Sequence, residues 1–292
     1  MCKSNSNHCH HHLVSDIRAT RDGEIIFGKE HVRRVIDDEQ TAAARESACK
    51  NPCFKTYMQL GNALAFQMRY NEAIECYEKA KELCPNNYSA IRKCAGRYLS
   101  VLKIQEAKEG FVWCVNNGSD LLDAKYMLGC ALYYEGDFIG AKNLFDECLI
   151  LSETDGDMYV ASLFWAVACL VRMGENVDSE MKKYDDDIKI GHHTGYKQSL
   201  KLFRGEKFEI CDNIEEEDEL QKCIFYYGAH LYYLANSNHV LADKYLEKTL
   251  SLDTYFSAFA YLGAYTEHLA TVGAVSHAKG QNQNAVFFSV RV

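Results

Sequence analysis

The chain has 292 residues, 48% of them hydrophobic, and a formal net charge of −9. That apolar content excludes wholesale disorder, and 41 acidic against 32 basic residues argue against nucleic acid or an anionic membrane, which favour a basic stripe. The length suits one elongated array or two compact domains, and only Pro52 and Pro85 interrupt it, as long helices require.

Residues 1–50 differ from the rest and are expected to form a mobile tail followed by a capping helix. Met1 to His12 is polar and histidine-rich. Cys2, His8, Cys9, His10, His11 and His12 are residue types that zinc or nickel takes. Their spacing fits no closed site, so no metal and no cofactor is expected. Asp22-Gly23 before EIIF reads as a turn and a short strand. From Lys29 to Lys50 the composition predicts one leading helix, with Val32, Val35 and Ile36 on its apolar face. It would cover the open end of the array that follows.

Residues 54–87 read as a complete helix–turn–helix unit of thirty-four residues. Leu60-Gly61 and Leu64 mark its first helix; Ala73, Tyr77 and Ala80 mark its second; Pro85 stops it. Small residues let two backbones approach, large ones fill the seam, and proline lacks the N–H that would continue the helix. The same spacing recurs in 88–121 with Ile91, Ala95, Tyr98, Ala107 and Phe111, and in 122–155 with Leu128-Gly129, Leu132, Ala141 and Phe145. This pattern resembles the tetratricopeptide repeat (TPR) family, which implies an all-α, right-handed α-solenoid of about six to seven helix pairs spanning residues 51–272.

Beyond Leu151 the register slips. LFWAVACLVRMG and then roughly Asp178 to Ile188 make a fourth pair, and 191–214 a shortened one turning at Arg204-Gly205, so that 156–214 is degenerate. The run Glu215 to Glu219 reads as a solvated helix start. Residues 221–272 restore the pattern through Gly228, Ala242 and Leu246, with Tyr255 to Ala270 as a further first helix. The tail 273–292 is expected to lack a second helix, and AVFFSVRV alternates like a strand. The layout of 54–270 also resembles the NlpI-type bacterial TPR lipoproteins, scaffolds that gather proteins at the cell envelope. Were the gene to begin upstream, Cys2 followed by KSNSN would match the start of a mature lipoprotein.

Cys94, Cys114 and Cys148 stand where these repeats want a small apolar filler, so the thirteen cysteines read as reduced thiols in a cytoplasmic protein. No window of roughly 18 apolar residues and no signal-peptide core is apparent.

The TPR resemblance implies that fixed places of each first helix line a concave groove. The expected peptide- or protein-binding residues there are Asn62, Phe66, Arg92, Tyr126, Tyr133, Tyr134, Phe164 and Tyr232. Tyrosine suits such a surface through its large area and polar tip. The cationic clamp of co-chaperone TPRs is not reproduced: Asn62 matches, but Met58, Lys93, Asp123 and Met127 stand at its other positions. Cys49 and Cys53 lack a second pair to complete a metal site, and His192-His193 reads as an isolated loop pair. No nucleophile elbow, P-loop, dinucleotide fingerprint or H-E-x-x-H occurs, so no catalytic residue is expected. The expectation is a non-enzymatic adaptor or scaffold for a protein or peptide. Its alternatives are an envelope scaffold recruiting hydrolases or proteases, and a metal-responsive regulator using the Cys/His tail.

Overall fold

The computed structural model describes residues 17–19, 32–34, 36–118, 120–206, 218–252 and 256–279. Contacts divide the chain into two compact units, Met1–Val101 and Leu102–Val292, parted inside the second repeat.

The first unit opens with an antiparallel ribbon, β1 (Ile17–Ala19) against β2 (Val32–Arg34). Val32 is therefore in a strand, and the leading helix α1 (Glu39–Lys50) starts ten residues later than Lys29. β-branched residues suit a ribbon, and the helix begins where a cap exists: Asp38 Oδ1 accepts from the Thr41 amide at 2.7 Å. The stretch EIIF lies outside the described residues. Then come α2 (Phe54–Phe66), α3 (Tyr70–Leu83) and α4 (Tyr88–Ser100). α1 packs on α2, as a cap should. Asp37 accepts from Arg45 Nε at 2.7 Å and pairs with Arg69, whose guanidinium also reaches Glu72 at 2.7 Å. α3 ends at Leu83, two residues before Pro85.

The second unit comprises α5 (Ile104–Asn117), α6 (Leu121–Glu135), α7 (Phe138–Leu151), α8 (Gly156–Met173), α9 (Asp178–Met181), α10 (Thr194–Phe203), α11 (Glu219–Ala235), α12 (His239–Leu250) and α13 (Phe259–Lys279). Asp120, Asp137, Asp155, Asp218 and Asn238 each cap a helix through a side-chain oxygen. The expected second helix at 178–188 is one turn only. The Asp185–Asp187 run favours turn contacts, Asp185 Oδ1 accepting the Asp187 amide at 2.9 Å. The turn α9 is pinned by buried Glu180, which pairs with Lys142 at 3.2 Å. α13 also runs past Gly273, where the sequence predicted no helix, while residues 285–292 lie outside the described residues.

The nesting rule holds at named contacts. A Cβ on Gly61 would stand 2.6 Å from Tyr77 Cε1, and one on Gly129 would stand 2.9 Å from Phe145 Cε1. Ala73 and Ala141 are wholly buried. Turns within pairs use left-handed backbone at Met68, Leu102, Gly136, Gly174, Gly205 and Ser237. Cys94, Cys114 and Cys148 are buried fillers, as predicted. α8 is long and apolar enough by length and composition to cross a membrane, which the sequence reading had not anticipated. Its residues from Val160 to Val171 are buried against the surrounding helices, so its apolar character belongs to the core.

Candidate interaction surface

In the second unit the expected groove residues are core. Tyr126, Tyr133 and Tyr134 on α6 are buried, as is Phe164 on α8, 1% exposed. The cause is α13, which returns to pack on α6, and α11, which packs on α8. Tyr134 Oη donates to the Phe259 carbonyl at 2.9 Å, and the Tyr126 and Phe259 rings meet edge-on at 5.8 Å. Trp165 Nε1 donates to Tyr126 Oη at 3.0 Å, and Tyr133 Oη lies 2.7 Å from Tyr227 Oη. Burial pushes the hydroxyls of Tyr126, Tyr133 and Tyr134 well above the ordinary tyrosine range. These four positions are corrected from groove to core. Tyr232 remains half-buried, its ring edge-on to Phe203 at 5.6 Å.

A polar cluster holds α13 in place. Glu267 pairs with Arg172 of α8, accepts from Tyr227 Oη at 3.4 Å, and puts Oε1 3.1 Å from His230 Nε2. His230 Nδ1 lies 2.9 Å from the Ala242 carbonyl, so the neutral ring carries its proton there. Burial pushes His230 down to about 4, with Arg172 adding to the effect. Glu267 would favour the cation, but Arg172 already neutralises the same oxygen.

The first unit keeps its inner positions accessible. Asn62 is exposed on α2, where its Oδ1 accepts from Tyr77 Oη at 2.9 Å. Phe66 closes the same helix with 82% of its surface exposed. Arg92 is half-buried on α4. Tyr77 links the two helices: burial pushes its hydroxyl up to about 12, against the pull of Arg97 and Arg92. Arg97 lies over the Tyr70 ring at 4.8 Å. Burial first, then the like charges of Arg92 and Arg97, hold the Lys93 ammonium below its ordinary pKa. The structure thus places Asn62 and Phe66 on α2 and Arg92 on α4, both helices packing on α3, with Lys93 and Arg97 also on α4. The segment RKCAGR displayed its cations in the sequence, but nothing there showed that Arg92 and Arg97 act on Tyr77.

Other candidates resolve into structure. Asp157 Oδ1 and Oδ2 accept the amides of Gly191, His192 and His193, which fixes the start of α10; the histidine pair is thus anchored to α8. Its carboxyl is held low because those backbone bonds outweigh desolvation. Among the described residues no group of three His, Cys, Asp or Glu could hold a metal ion. The N-terminal Cys/His cluster lies outside them.

The tetratricopeptide repeat profile matches residues 54–87. No curated protein matches the chain. Among solved structures the chain is similar to YrrB, described as a TPR protein with an unusual peptide-binding site, at 19% identity and a TM-score of 0.43, over 78% of this chain and 100% of that one. It is similar to the MamA protein at 19% identity and a TM-score of 0.43, over 70% and 93%. A tetratricopeptide repeat protein from Parabacteroides merdae is 16% identical with a TM-score of 0.49, over 78% and 91%. Residues 54–87 thus match the tetratricopeptide repeat, and the protein is an all-α chain built from paired helices.

Proposed function

We propose that the protein is a non-catalytic, cytoplasmic interaction module that holds a protein or peptide segment on the inner face of its first unit, across α2 and α4. One observation carries this reading. Asn62, Phe66 and Arg92 stay accessible, whereas the matching aromatic positions of the second unit are covered by the chain's own α11 and α13. An 82%-exposed phenylalanine beside hydrogen-bonding groups supplies an apolar anchor with polar registration. Affinity in the roughly micromolar range follows, because an extended segment must offset its own ordering entropy. The described cysteines are free thiols, which fits a reducing compartment.

Photo-crosslinking in cells tests the reading. A benzoyl-phenylalanine at position 66 is expected to trap a discrete partner, and the same group at position 139, exposed on α7, is expected to trap none. Equal labelling from both positions would remove the first unit's inner face as the binding surface.

A further inference from the structure

α13 is a first helix without a second. In the pairs α2–α3, α6–α7 and α11–α12 the second helix packs on the first, whereas no helix follows α13 among the described residues. α13 packs on α6, α11 and α12, and its residues from Ala260 to Ala264 are buried. Its far end stands clear: every residue from His268 to Gly273 is exposed.

This end is not built like a solvated helix. Tyr265, Leu269 and Val272 follow the i, i+4, i+7 spacing of one apolar stripe, with Leu269 46% and Val272 50% exposed. Residues 268–278 contain no Asp, Glu, Lys or Arg. Thr271, Val272, Gly273 and Val275 are poor helix formers, and so short a run does not hold a helix in water by itself. The helix nevertheless continues to Lys279.

The charge distribution selects what covers it. Residues 102–292 hold 29 acidic against 17 basic residues, a formal net charge of −12. Two copies of this unit therefore repel one another over most approaches. Along 268–278 they meet without opposing like charges, whereas an acidic or basic partner segment finds no countercharge there. Gly273 is exposed and nothing lies within 4 Å of where its Cβ would stand, so a second backbone can come close. We infer that the protein self-associates through this end of α13. Two copies pack antiparallel about a two-fold axis, which sets Leu269 and Val272 of each against those of the other. So small a contact makes a weak dimer, in the roughly micromolar range. The inference goes beyond the binding face on α2 and α4 and does not depend on it.

Sedimentation velocity of the full chain between about 1 and about 100 µM tests it. The 33.2 kDa species is expected to convert to twice that mass as concentration rises. Raising salt from about 50 to about 300 mM should strengthen association several-fold by screening the repulsion between acidic units. Leu269→Glu combined with Val272→Glu should weaken it by at least about tenfold, with the melting temperature of the dilute protein unchanged. Leu269→Ala should weaken it less. Val240→Glu, at an equally apolar position 80% exposed on α12, should leave it unchanged.

A dimer that survives the double glutamate variant lies elsewhere and overturns the inference. Association that weakens with salt overturns it too, by assigning the contact to ion pairs. A chain that stays monomeric at every concentration also overturns it. Hydrogen exchange then tells which other cover applies. Faster exchange at 268–273 after deletion of residues 280–292 would assign the cover to the chain's own tail, and unchanged exchange would leave it to a different protein.

Discussion

Glu267 on α13 and Arg172 on α8 form a largely buried ion pair that ties the last described helix to the centre of the second unit. Glu267 is 9% exposed and Arg172 20%. Removing one partner leaves the other charge without compensation, so Glu267→Gln or Arg172→Leu should each destabilise the protein by about 3 kcal/mol. Replacing both with leucine should recover most of that loss. Urea unfolding of the two single variants and the double variant measures it, and additive losses would deny the coupling.

His230 makes stability depend on pH. Its imidazole has a folded-state value of about 4 against an ordinary value of 6.5, chiefly because it is buried. Between those values the unfolded chain binds a proton that the folded one does not. Stability is therefore full above pH 6.5 and is lost as pH falls toward 4, by on the order of 3 kcal/mol in total. His230→Gln should flatten this part of the profile, read as urea midpoints across the acid range. An unchanged slope would assign the acid loss to other groups.

The buried tyrosines of α6 should behave as core. Tyr133→Ala removes a ring packed against Trp165 at 4.9 Å and should cost about 3–5 kcal/mol. Tyr133→Phe removes only the hydroxyl that meets Tyr227 and should cost about 1 kcal/mol. Calorimetric melting separates the two. A melting temperature unmoved by Tyr133→Ala would return that residue to an open groove.

Ser237 holds a left-handed backbone, φ 57°, at the turn between α11 and α12, and it is exposed. Ser237→Gly should relieve that strain and stabilise by about 0.5–1 kcal/mol. Gly61→Ala should do the reverse, by about 1–3 kcal/mol, because its methyl would overlap the Tyr77 ring. Thermal unfolding of both variants checks the opposite signs.

Much of this was legible in the sequence because the code is local. Gly61, Ala73, Gly129 and Ala141 mark close backbone approach by size alone, and they sit at such contacts. Pro85 marks a helix end in the same way, and α3 stops two residues before it. The fate of the inner face was not local. Tyr134 meets Phe259 across 125 residues, and a stripe of tyrosines reads identically whether water or a returning helix covers it. The strand at Val32 was missed for a related reason: its pairing with Ala19 is set by a partner upstream, which the local spacing of apolar residues does not show. Lys93 and Arg97 were visible as cations, but the stacking of Arg97 over Tyr70 is a fact of packing.

The central claim is that partners are held on α2 and α4 of the first unit while α13 keeps the inner face of the second unit closed. Hydrogen–deuterium exchange of the full chain, with and without a partner segment captured by crosslinking at position 66, tests it most directly. The account predicts new protection confined to α2 and α4, with exchange in α6, α8 and α13 unchanged. Protection gained in α6 and α8 together with faster exchange in α13 would show the ligand displacing that helix, and would contradict the account.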